Sequence, residues 1–329
     1  MKTLRWGILG PGRIAPRIVR AVAACPRAEL VAVASRDDGR AVAFAAAHGI
    51  SRAFGSYDAL LRAPDVDVVY VALPNHLHAE WTVRALEAGK HVLCEKPIAL
   101  TVEEVDAIAA AAERAGRIAV EAFMYLHHPQ ILRAVDLARS GALGRLELVG
   151  GSFSFSLTQP GDPRADPSMG GGSLWDVGCY PVSFARRIAG EEPDRVGAFA
   201  RFDERGVDRT FIGQLHFPSG LLAQFDSGFA APDRQRIEIV GNDATLVLDC
   251  PFLTAPDGPP PSVTMWHGRE ATHIDVPAVD QVRAEVEDLT AAILDGTAPR
   301  VDIAFSRGSI ATLVELDRAA RRNAGLLGS

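Results

Sequence analysis

Short apolar runs and segments with helical apolar spacing alternate along the first 124 residues. The apolar runs predict buried strands at Leu4–Leu9, Glu29–Ala34, Val66–Leu73, His91–Cys94 and Ile118–Met124. The helical spacing predicts helices at residues 14–24, 41–48, 57–62 and 79–88 and from Thr101 onward. Strands and helices joined in this order by short links predict a parallel sheet with helices on both faces.

The pattern changes near Tyr125. A helix is predicted up to Arg139, and the later strands are separated by short turns such as Pro218-Ser219-Gly220, which require antiparallel pairing. These strands are predicted at residues 145–157, 195–202, 211–217, 221–228, 236–240 and 244–249. A proline-rich loop covers Pro251–Pro261, and two helices at about 278–294 and 303–323 complete the chain.

We therefore predict the α/β fold class with two domains. Residues 1–124 form a doubly wound parallel sheet, and residues 125–329 form an α/β domain with a large open, mostly antiparallel sheet. The alternation of polar and apolar positions in the second sheet is loose, so one face is expected to be partly apolar. Such a face would suit a subunit interface, and we expect a homodimer or homotetramer.

Composition narrows the functional classes. A formal net charge of -7 argues against binding to a nucleic-acid backbone. No apolar run approaches the length of a membrane span, and the amino terminus enters a strand without a signal segment, so we expect a cytoplasmic protein. The four cysteines are widely spread, which favours reduced core thiols, and we predict no metal site.

Gly10, Gly12 and Ala15 form a G-x-G-x-x-A motif between the first strand and the first helix. In a dinucleotide-binding (Rossmann) domain, the first glycine allows a tight turn and the second allows close approach of a pyrophosphate to the helix amino terminus. A plain glycine turn is the structural alternative.

The second predicted strand ends in Ser35 and Arg36. A hydroxyl and a guanidinium suit a 2′-phosphate, so we expect NADP as the cofactor. Asp37 and Asp38 follow closely and could bond a ribose hydroxyl, so NAD stays possible.

Other polar residues follow the later strands of the same sheet. Asn75 and His78 follow the third strand, Glu95-Lys96-Pro97 ends the fourth, and Glu121 lies in the fifth. Ligands bind outside the carboxyl ends of parallel strands, so these side chains are candidates for one site. The structural alternatives are turn and helix-start residues at Asn75 and His78 and an exposed loop lysine at Lys96.

A glycine-rich segment, Gly170 to Gly172, leads into a second candidate group. Ser173 is expected to cap a helix, and Asp176 and Tyr180 are four residues apart, so they share a helix face. Pro181 predicts a kink beside them. The structural alternative is a capping aspartate and a core tyrosine.

Together these motifs resemble the glucose–fructose oxidoreductase / inositol dehydrogenase (Gfo/Idh/MocA) family. The similar stretches, in chain order, are Trp6–Gly10, Pro74–His78, Glu95–Pro97, Glu121–Tyr125, His128–Gln130 and Gly170–Tyr180. Tyr180 and its surroundings look most like the branch of dihydrodiol dehydrogenases, NADP-linked xylose dehydrogenases and glucose–fructose oxidoreductase.

The resemblance implies a catalytic group of Lys96, Asp176 and Tyr180. The predicted cofactor-binding residues are Gly10, Gly12, Arg13, Ile14, Ser35, Arg36, Leu73, Pro74, Asn75, His78, Glu95, Lys96 and Glu121. The predicted substrate-binding residues are Lys96, Tyr125, Phe153, Arg164, Asp176 and Tyr180.

The expected reaction is hydride transfer between nicotinamide C4 and a hydroxyl-bearing carbon of a sugar, a cyclitol or a cyclic diol. Lys96 and Tyr180 would form the proton relay, because an adjacent ammonium favours a phenolate base. Two alternatives are an NAD-assisted glycosidase and a non-catalytic sensor of dinucleotide or sugar.

Overall fold

A computed structural model describes residues 2–254 and 261–326 of the chain. The chain forms two compact units. The first contains the residues up to His127 together with Asp280–Arg307, and the second contains His128–Val279 and the chain from Gly308 onward. The predicted domain division, after residue 124, is close to the first of these boundaries. The assignment of residues 280–307 to the second domain differs from the structure, because the helix in this segment packs against the first helix of the chain.

The first unit is built on a six-stranded parallel sheet. Its strands are β1 (Leu4–Leu9), β2 (Ala28–Ala34), β3 (Arg52–Phe54), β4 (Val68–Val71), β5 (His91–Glu95) and β6 (Ala119–Ala122). The strand order is β3-β2-β1-β4-β5-β6, which is the doubly wound arrangement that the sequence predicts. The helices are α1 (Ala15–Ala24), α2 (Asp38–His48), α3 (Tyr57–Leu61), α4 (His78–Glu87), α5 (Val102–Ala115) and α8 (Gln281–Asp295).

The second unit is built on an eight-stranded sheet. Its strands are β7 (Leu146–Ser156), β8 (Arg195–Phe202), β9 (Asp208–His216), β10 (Leu222–Gly228), β11 (Ala230–Gly241), β12 (Thr245–Asp249), β13 (Ser262–His267) and β14 (Glu270–Ile274). The order is β14-β13-β12-β11-β7-β10-β9-β8, and every pair is antiparallel except β7 with β10. The helices are α6 (Pro129–Arg139), α7 (Cys179–Ala189) and most of α9 (Ile303–Asn323), which begins in the first unit.

Sequence periodicity misses three strands. β3 has only three residues, and β14 is mostly exposed along its length, so neither has a clear apolar pattern. β13 follows the proline-rich segment, of which residues 255–260 lie outside the described residues. The predicted mostly antiparallel sheet is confirmed, and the parallel β7–β10 pair is the exception.

The two faces of the second sheet differ in whether helices cover them. On one face, α7 packs on β7, and Asn323 of α9 donates a hydrogen bond to the Ala198 carbonyl at 2.8 Å. The opposite face exposes apolar side chains, with Phe199 63% and Ile212 50% exposed. The sequence prediction of a partly apolar open face is therefore confirmed.

In residues 2–254 and 261–326, no helix is long and apolar enough to cross a membrane. Cys25, Cys94 and Cys179 are buried thiols, as the sequence predicts. Cys250 differs, because it is exposed and adopts a positive φ of 52° just after β12. The same described residues contain no group of His, Cys, Asp or Glu arranged to hold a metal ion.

Candidate active site

The glycine motif forms a tight turn between β1 and α1. Gly10 has a φ of +90°, and a Cβ atom there would lie 2.6 Å from the Ala72 carbonyl oxygen, so only glycine fits. A Cβ at Gly12 would have its nearest neighbour at 3.8 Å, which leaves that side of the loop open to a ligand. Helix α1 begins after Ile14 without a side-chain cap and without an acidic residue in its first turn. Its amino terminus therefore suits a pyrophosphate.

Two basic residues follow β2, and one of them contacts the glycine turn. Arg36 follows β2 and is exposed, whereas Ser35 is buried and its hydroxyl accepts a hydrogen bond from the Asp37 amide at 3.2 Å. Arg40, which sequence reasoning missed, donates from Nη2 to the Pro11 carbonyl at 3.4 Å. Its place in the first turn of the helix that follows β2 is a signal that could have identified it. The Arg40 guanidinium lies beside the glycine loop, and Arg36 is exposed just after β2, so both are candidates for contact with a 2′-phosphate.

The end of β4 is held by a buried histidine. Asn75 opens a short 3₁₀ turn after Pro74, and His78 begins α4 with 1% of its surface exposed. The two ring nitrogens of His78 lie 2.7 Å from the carbonyl oxygens of Leu73 and Pro97. Burial lowers the pKa of His78 to about 4, although both carbonyls favour the protonated ring. His78 thus joins the segment after β4 to the segment after β5.

Lys96 is partly buried directly after β5. Its backbone N–H donates to Glu95 Oε2 at 3.3 Å, and the Tyr70 hydroxyl donates a short hydrogen bond to Glu95 Oε1. The Lys96–Pro97 peptide bond is cis. Burial raises the pKa of Tyr70 well above its ordinary value, and the nearby charges of Glu95 and Glu285 add to this effect. Tyr70 is a residue that sequence reasoning missed, because it lies inside an apolar strand.

Two buried carboxyl groups accompany this segment. Glu121 of β6 is 1% exposed, and its Oε1 accepts a hydrogen bond from the Ile98 N–H at 3.0 Å. Glu285 of α8 is 2% exposed, and burial raises its pKa well above the ordinary value, with the charges of Glu95, Asp288 and Glu121 contributing. Tyr125 is fully buried in the first unit, with its ring 5.9 Å from that of Phe123. Sequence reasoning missed Glu285 because α8 lies far along the chain.

In the second unit, Asp176 lies in a π-helical turn, Leu174–Gly178, that leads into α7. The irregularity predicted beside Pro181 takes this form, since proline has no N–H for the regular hydrogen-bond ladder. The expected capping role of Ser173 is wrong. Ser173 has helical backbone angles, and its hydroxyl donates to Asp208 Oδ2 at 2.6 Å.

Asp208, at the start of β9, caps the π-helical turn instead. Its Oδ2 also accepts the Leu174 N–H at 2.8 Å, and Ser173 Oγ lies 3.1 Å from Ser227 Oγ. A Cβ at Gly172 would lie 2.2 Å from Asp208 Oδ1, so the glycine makes room for the carboxyl group. Burial raises the pKa of Asp208 to about 6, although the two donors favour its charged form. Sequence reasoning missed Asp208 because no local pattern marks it.

Aromatic rings surround Tyr180, which is 3% exposed. Its ring centroid lies 5.2 Å from that of Phe153 and 5.3 Å from that of Phe252, and the two phenylalanines stack at 5.4 Å. Gln130 anchors the two residues that precede Phe252. Its Nε2 atom donates to the carbonyls of Cys250 and Pro251 at 3.4 and 3.1 Å. The second unit therefore brings Phe153 and Tyr180 together, as predicted, and adds Phe252.

Arg164 contacts Asp176 in the same unit. Its Nη1 lies 3.6 Å from Asp176 Oδ2, and its other donors bond Asp162. The structure thus divides the predicted residues between the two units. The nucleotide-loop residues, Lys96, Glu121 and Tyr125 belong to the first, and the second holds Phe153, Arg164, Asp176 and Tyr180.

Two family models match the chain. The model for the oxidoreductase family with an NAD-binding Rossmann fold, GFO_IDH_MocA, matches residues 4–123, and the GFO/IDH/MocA C-terminal domain matches residues 131–247. The protein is therefore an oxidoreductase with an NAD(P)-binding Rossmann domain. The chain belongs to the Gfo/Idh/MocA family, as its motifs predict.

Similar proteins are known in several organisms. D-xylose 1-dehydrogenase (NADP(+)) 2 of Haloferax volcanii is 39% identical over 326 residues, which cover 98% of this chain and 99% of that protein. The crystal structure of aldose-aldose oxidoreductase from Caulobacter crescentus, complexed with glycerol, has a TM-score of 0.91 at 31% identity and 98% coverage of both chains. A 3-ketoreductase from Actinomadura kijaniata, crystallised with NADP and TDP-benzene, has a TM-score of 0.90 at 33% identity, covering 97% of this chain and 98% of that one.

Proposed function

We propose that this protein is an NADP-preferring dehydrogenase or reductase that acts on the CH–OH group of a sugar, a cyclitol or a cyclic diol. The observation that carries the proposal is the position of Lys96. It follows β5 at the carboxyl edge of the parallel sheet, the same edge at which the Gly10 turn follows β1. An ammonium group at that edge suits a reaction beside a bound nucleotide.

The proposed chemistry has two parts. A bound nicotinamide would accept or supply the hydride at C4. Oxidation of a hydroxyl group also requires a base within hydrogen-bond reach, and we assign this role to Tyr180 as the phenolate. Lys96 would stabilise the negative charge that develops on the reacting oxygen, and Asp176 would orient the substrate.

The remaining contacts follow from the same proposal. Arg13, Ile14, Ser35 and Arg36 would bind the adenosine end of the cofactor, together with Gly10 and Gly12. Leu73, Pro74, Asn75, His78, Glu95 and Glu121 would shape the nicotinamide end. Tyr125, Phe153 and Arg164 would contribute to the substrate pocket.

We further propose a cytoplasmic homodimer or homotetramer that assembles through the open face of the second sheet. Phe199 and Ile212 are exposed cross-strand neighbours, and Leu222 and Trp266 are also exposed on this sheet. These residues support an interface, since contiguous exposed apolar patches mark interaction surfaces. Sedimentation analysis of the wild type and of Phe199→Glu tests the assignment. A monomeric wild type would contradict it.

The first test of function is nucleotide affinity. Calorimetric titration with NADP and with NAD should show tighter binding of NADP, and Arg36→Ala should lose about 10- to 100-fold of NADP affinity with little change for NAD. Arg62→Ala is the matched control, because Arg62 is another exposed arginine of the first unit. Failure of the wild type to bind either nucleotide would contradict the oxidoreductase reaction and favour a sensor.

The second test is turnover. Sugars, cyclitols and cyclic diols should give net NADPH formation, measured by nicotinamide absorbance. Hydrolysis of a glycoside without net NADPH formation would instead indicate an NAD-assisted glycosidase.

A further inference from the structure

A tyrosine and two glutamates of the first unit come together near the carboxyl ends of β4 and β5. The register pairs Tyr70 with Leu93, and Glu95 lies two residues after Leu93, so Tyr70 and Glu95 share a face of the sheet. Helix α8 carries Glu285, whose charge acts on Tyr70 and which itself feels the charge of Glu95. We refer to Tyr70, Glu95 and Glu285 as the acid cluster.

Glu95 has the hydrogen-bond donors that an ionised carboxylate needs. Its Oε1 accepts a short hydrogen bond from the Tyr70 hydroxyl, and its Oε2 accepts the Lys96 N–H at 3.3 Å. Hydrogen bonds donated to a carboxylate favour its charged form. Glu95 is therefore the ionised member of the acid cluster, and it directly precedes Lys96 in the chain.

Glu285 lies in the opposite environment. It is 2% exposed, and its Oε1 has no hydrogen-bond partner in the part of the chain that the structure describes. A buried carboxylate without donors is costly, whereas the neutral acid is much less so. Burial raises the pKa of Glu285 well above its ordinary value, and the charge of Glu95 adds to this effect. Glu285 is therefore the member of the cluster that keeps a proton.

The surroundings of Glu285 are mostly acidic. Helix α8 packs against α1 and against the 3₁₀ turn Met124–His127. Asp288, one turn after Glu285, is already held, because its Oδ2 accepts the Arg300 N–H at 2.9 Å and lies 3.4 Å from His127 Nε2. The carboxylates whose charge acts on Glu285 are Glu95, Asp288 and Glu121, and the neighbouring segments also carry His127, Lys96, Arg17 and Arg20. Three carboxylates thus oppose ionisation of Glu285, and added positive charge nearby would favour it.

We propose that Glu285 is a proton-binding residue coupled to the oxidation state of the cofactor. It releases its proton to solvent when NADP, whose nicotinamide ring is positively charged, binds beside the Glu95–Pro97 segment. It takes up one proton when the ring has accepted the hydride and is neutral. The alcohol loses one hydride to the ring and one proton from its hydroxyl group, so the proton that Glu285 regains balances the second of these losses.

This coupling gives the first unit a means to discriminate between the two forms of the cofactor. Ionised Glu285 attracts the oxidised ring, and protonated Glu285 does not. The residue acts at a distance through its charge, so no contact with substrate or cofactor is assigned to it. The inference rests on the proposed function, since it takes Glu95 and Lys96 as residues of the nicotinamide end.

The first test is infrared absorption of the protein without nucleotide. At about pH 7.5 the carboxyl group of Asp208, with a pKa of about 6, is ionised, so its band does not interfere. We expect the wild type to show the C=O stretch of a protonated carboxylic acid and Glu285→Gln to lose it. The fold should survive, because a glutamine amide is neutral and similar in shape to the protonated acid. Absence of this band from the wild type, or its persistence in Glu285→Gln, would overturn the inference.

Glu287→Gln is the matched control. Glu287 lies two residues further along α8, in an exposed pair with Arg283 at 2.8 Å, so this variant removes a carboxylate from the same helix outside the acid cluster. We expect it to keep the acid band and to behave as the wild type does in nucleotide binding.

The second test is proton release on nucleotide binding. Calorimetric titrations with NADP and with NADPH, each in two buffers of different ionisation enthalpy, give the number of protons released. The wild type should release more protons with NADP than with NADPH, by up to about one per site, and Glu285→Gln should lose most of this difference. The 2′-phosphate is common to both nucleotides, so its own titration cancels. Equal release by the wild type with both nucleotides would overturn the coupling.

The dissociation constants from the same titrations provide a further check. Between about pH 6 and pH 9, the affinity for NADP relative to NADPH should rise about tenfold in the wild type, because Glu285 ionises over that range, and it should rise less in Glu285→Gln. An identical pH dependence in the two proteins would contradict the coupling. If neither nucleotide bound while the acid band was present, the proposed function and the coupling would both fail, and Glu285 would stand as a neutral buried acid.

Discussion

The two units support their proposed catalytic side chains in different ways. Lys96 follows β5 directly, and Glu95, its neighbour in sequence, accepts its backbone N–H. Asp176 and Tyr180 instead depend on residues far along the chain, because Asp208 of β9 caps their helical segment and Phe252 packs against the phenol ring. The motif around Lys96 contains one of its own supports and is recognisable from sequence, although Tyr70 of β4 also bonds Glu95. Asp208 and Phe252 come from distant parts of the chain, so the supports of Asp176 and Tyr180 leave no local pattern.

The largest expected effect is a loss of turnover in variants of Tyr180 and Lys96, and NADP affinity should distinguish the two variants. Tyr180→Phe removes the phenol from the second unit, and we expect kcat to fall about 10³-fold with an unchanged NADP dissociation constant. Lys96→Met should lower kcat by a similar factor and also alter NADP binding, since Lys96 lies in the nucleotide-binding unit. Stopped-flow absorbance and calorimetry measure the two quantities. If Tyr180→Phe turned over at the wild-type rate, Tyr180 would not be the base.

The second largest effect concerns Asp208 and pH. Burial raises its pKa from 3.8 to about 6, so the folded state binds this proton more tightly than the unfolded state does. Its contribution to the free energy of unfolding is therefore greatest at low pH and falls as pH rises through the interval from about 4 to 6. Over that interval Asp208→Asn should gain about 2–3 kcal/mol relative to the wild type, at 1.36 kcal/mol per pKa unit. Urea unfolding of both proteins at several pH values measures the difference in their free energies of unfolding. A difference that does not change with pH would contradict the prediction.

A smaller effect is expected at Gln130. Gln130→Ala leaves the Cys250 and Pro251 carbonyls without their amide donor, which should cost about 1–2 kcal/mol of unfolding free energy. Because Phe252 follows these residues, KM should rise severalfold. Arg133→Ala, at an exposed arginine of the same helix, is the control. Equal KM values in the two variants would show that the Phe252 segment does not need this support.

The smallest effect should come from Arg40. Its guanidinium already bonds the Pro11 carbonyl, so Arg40→Ala should weaken NADP binding only a few-fold and leave NAD binding unchanged. Calorimetric titration of Arg40→Ala and Arg36→Ala with NADP shows which variant loses more affinity. A larger loss at Arg40 than at Arg36 would reverse the assignment of the phosphate contact.

Most features of the first unit could be predicted from the sequence. The Gly10 turn, the capping box of Thr101 with Glu104 and the order of the strands all follow from local patterns, because each depends on neighbouring residues. The supports of the site were harder to predict. Tyr70 is hidden in an apolar strand, and Asp208 and Glu285 act across long sequence separations that periodicity does not record.

The parallel pairing of β7 with β10 has a consequence for the order of folding. It pairs Leu148 with Leu222 and Ser154 with Gly228, so the π-helical turn, α7, β8 and β9 all lie within the connection between the two strands. Parallel partners need such a crossover, and the entropy of closing it must be offset before their contacts form. Non-local pairing of this kind slows folding. The segment with Asp176 and Tyr180 should therefore gain hydrogen-exchange protection later than the antiparallel β8–β9 hairpin, which lies in the same connection and needs only a short turn.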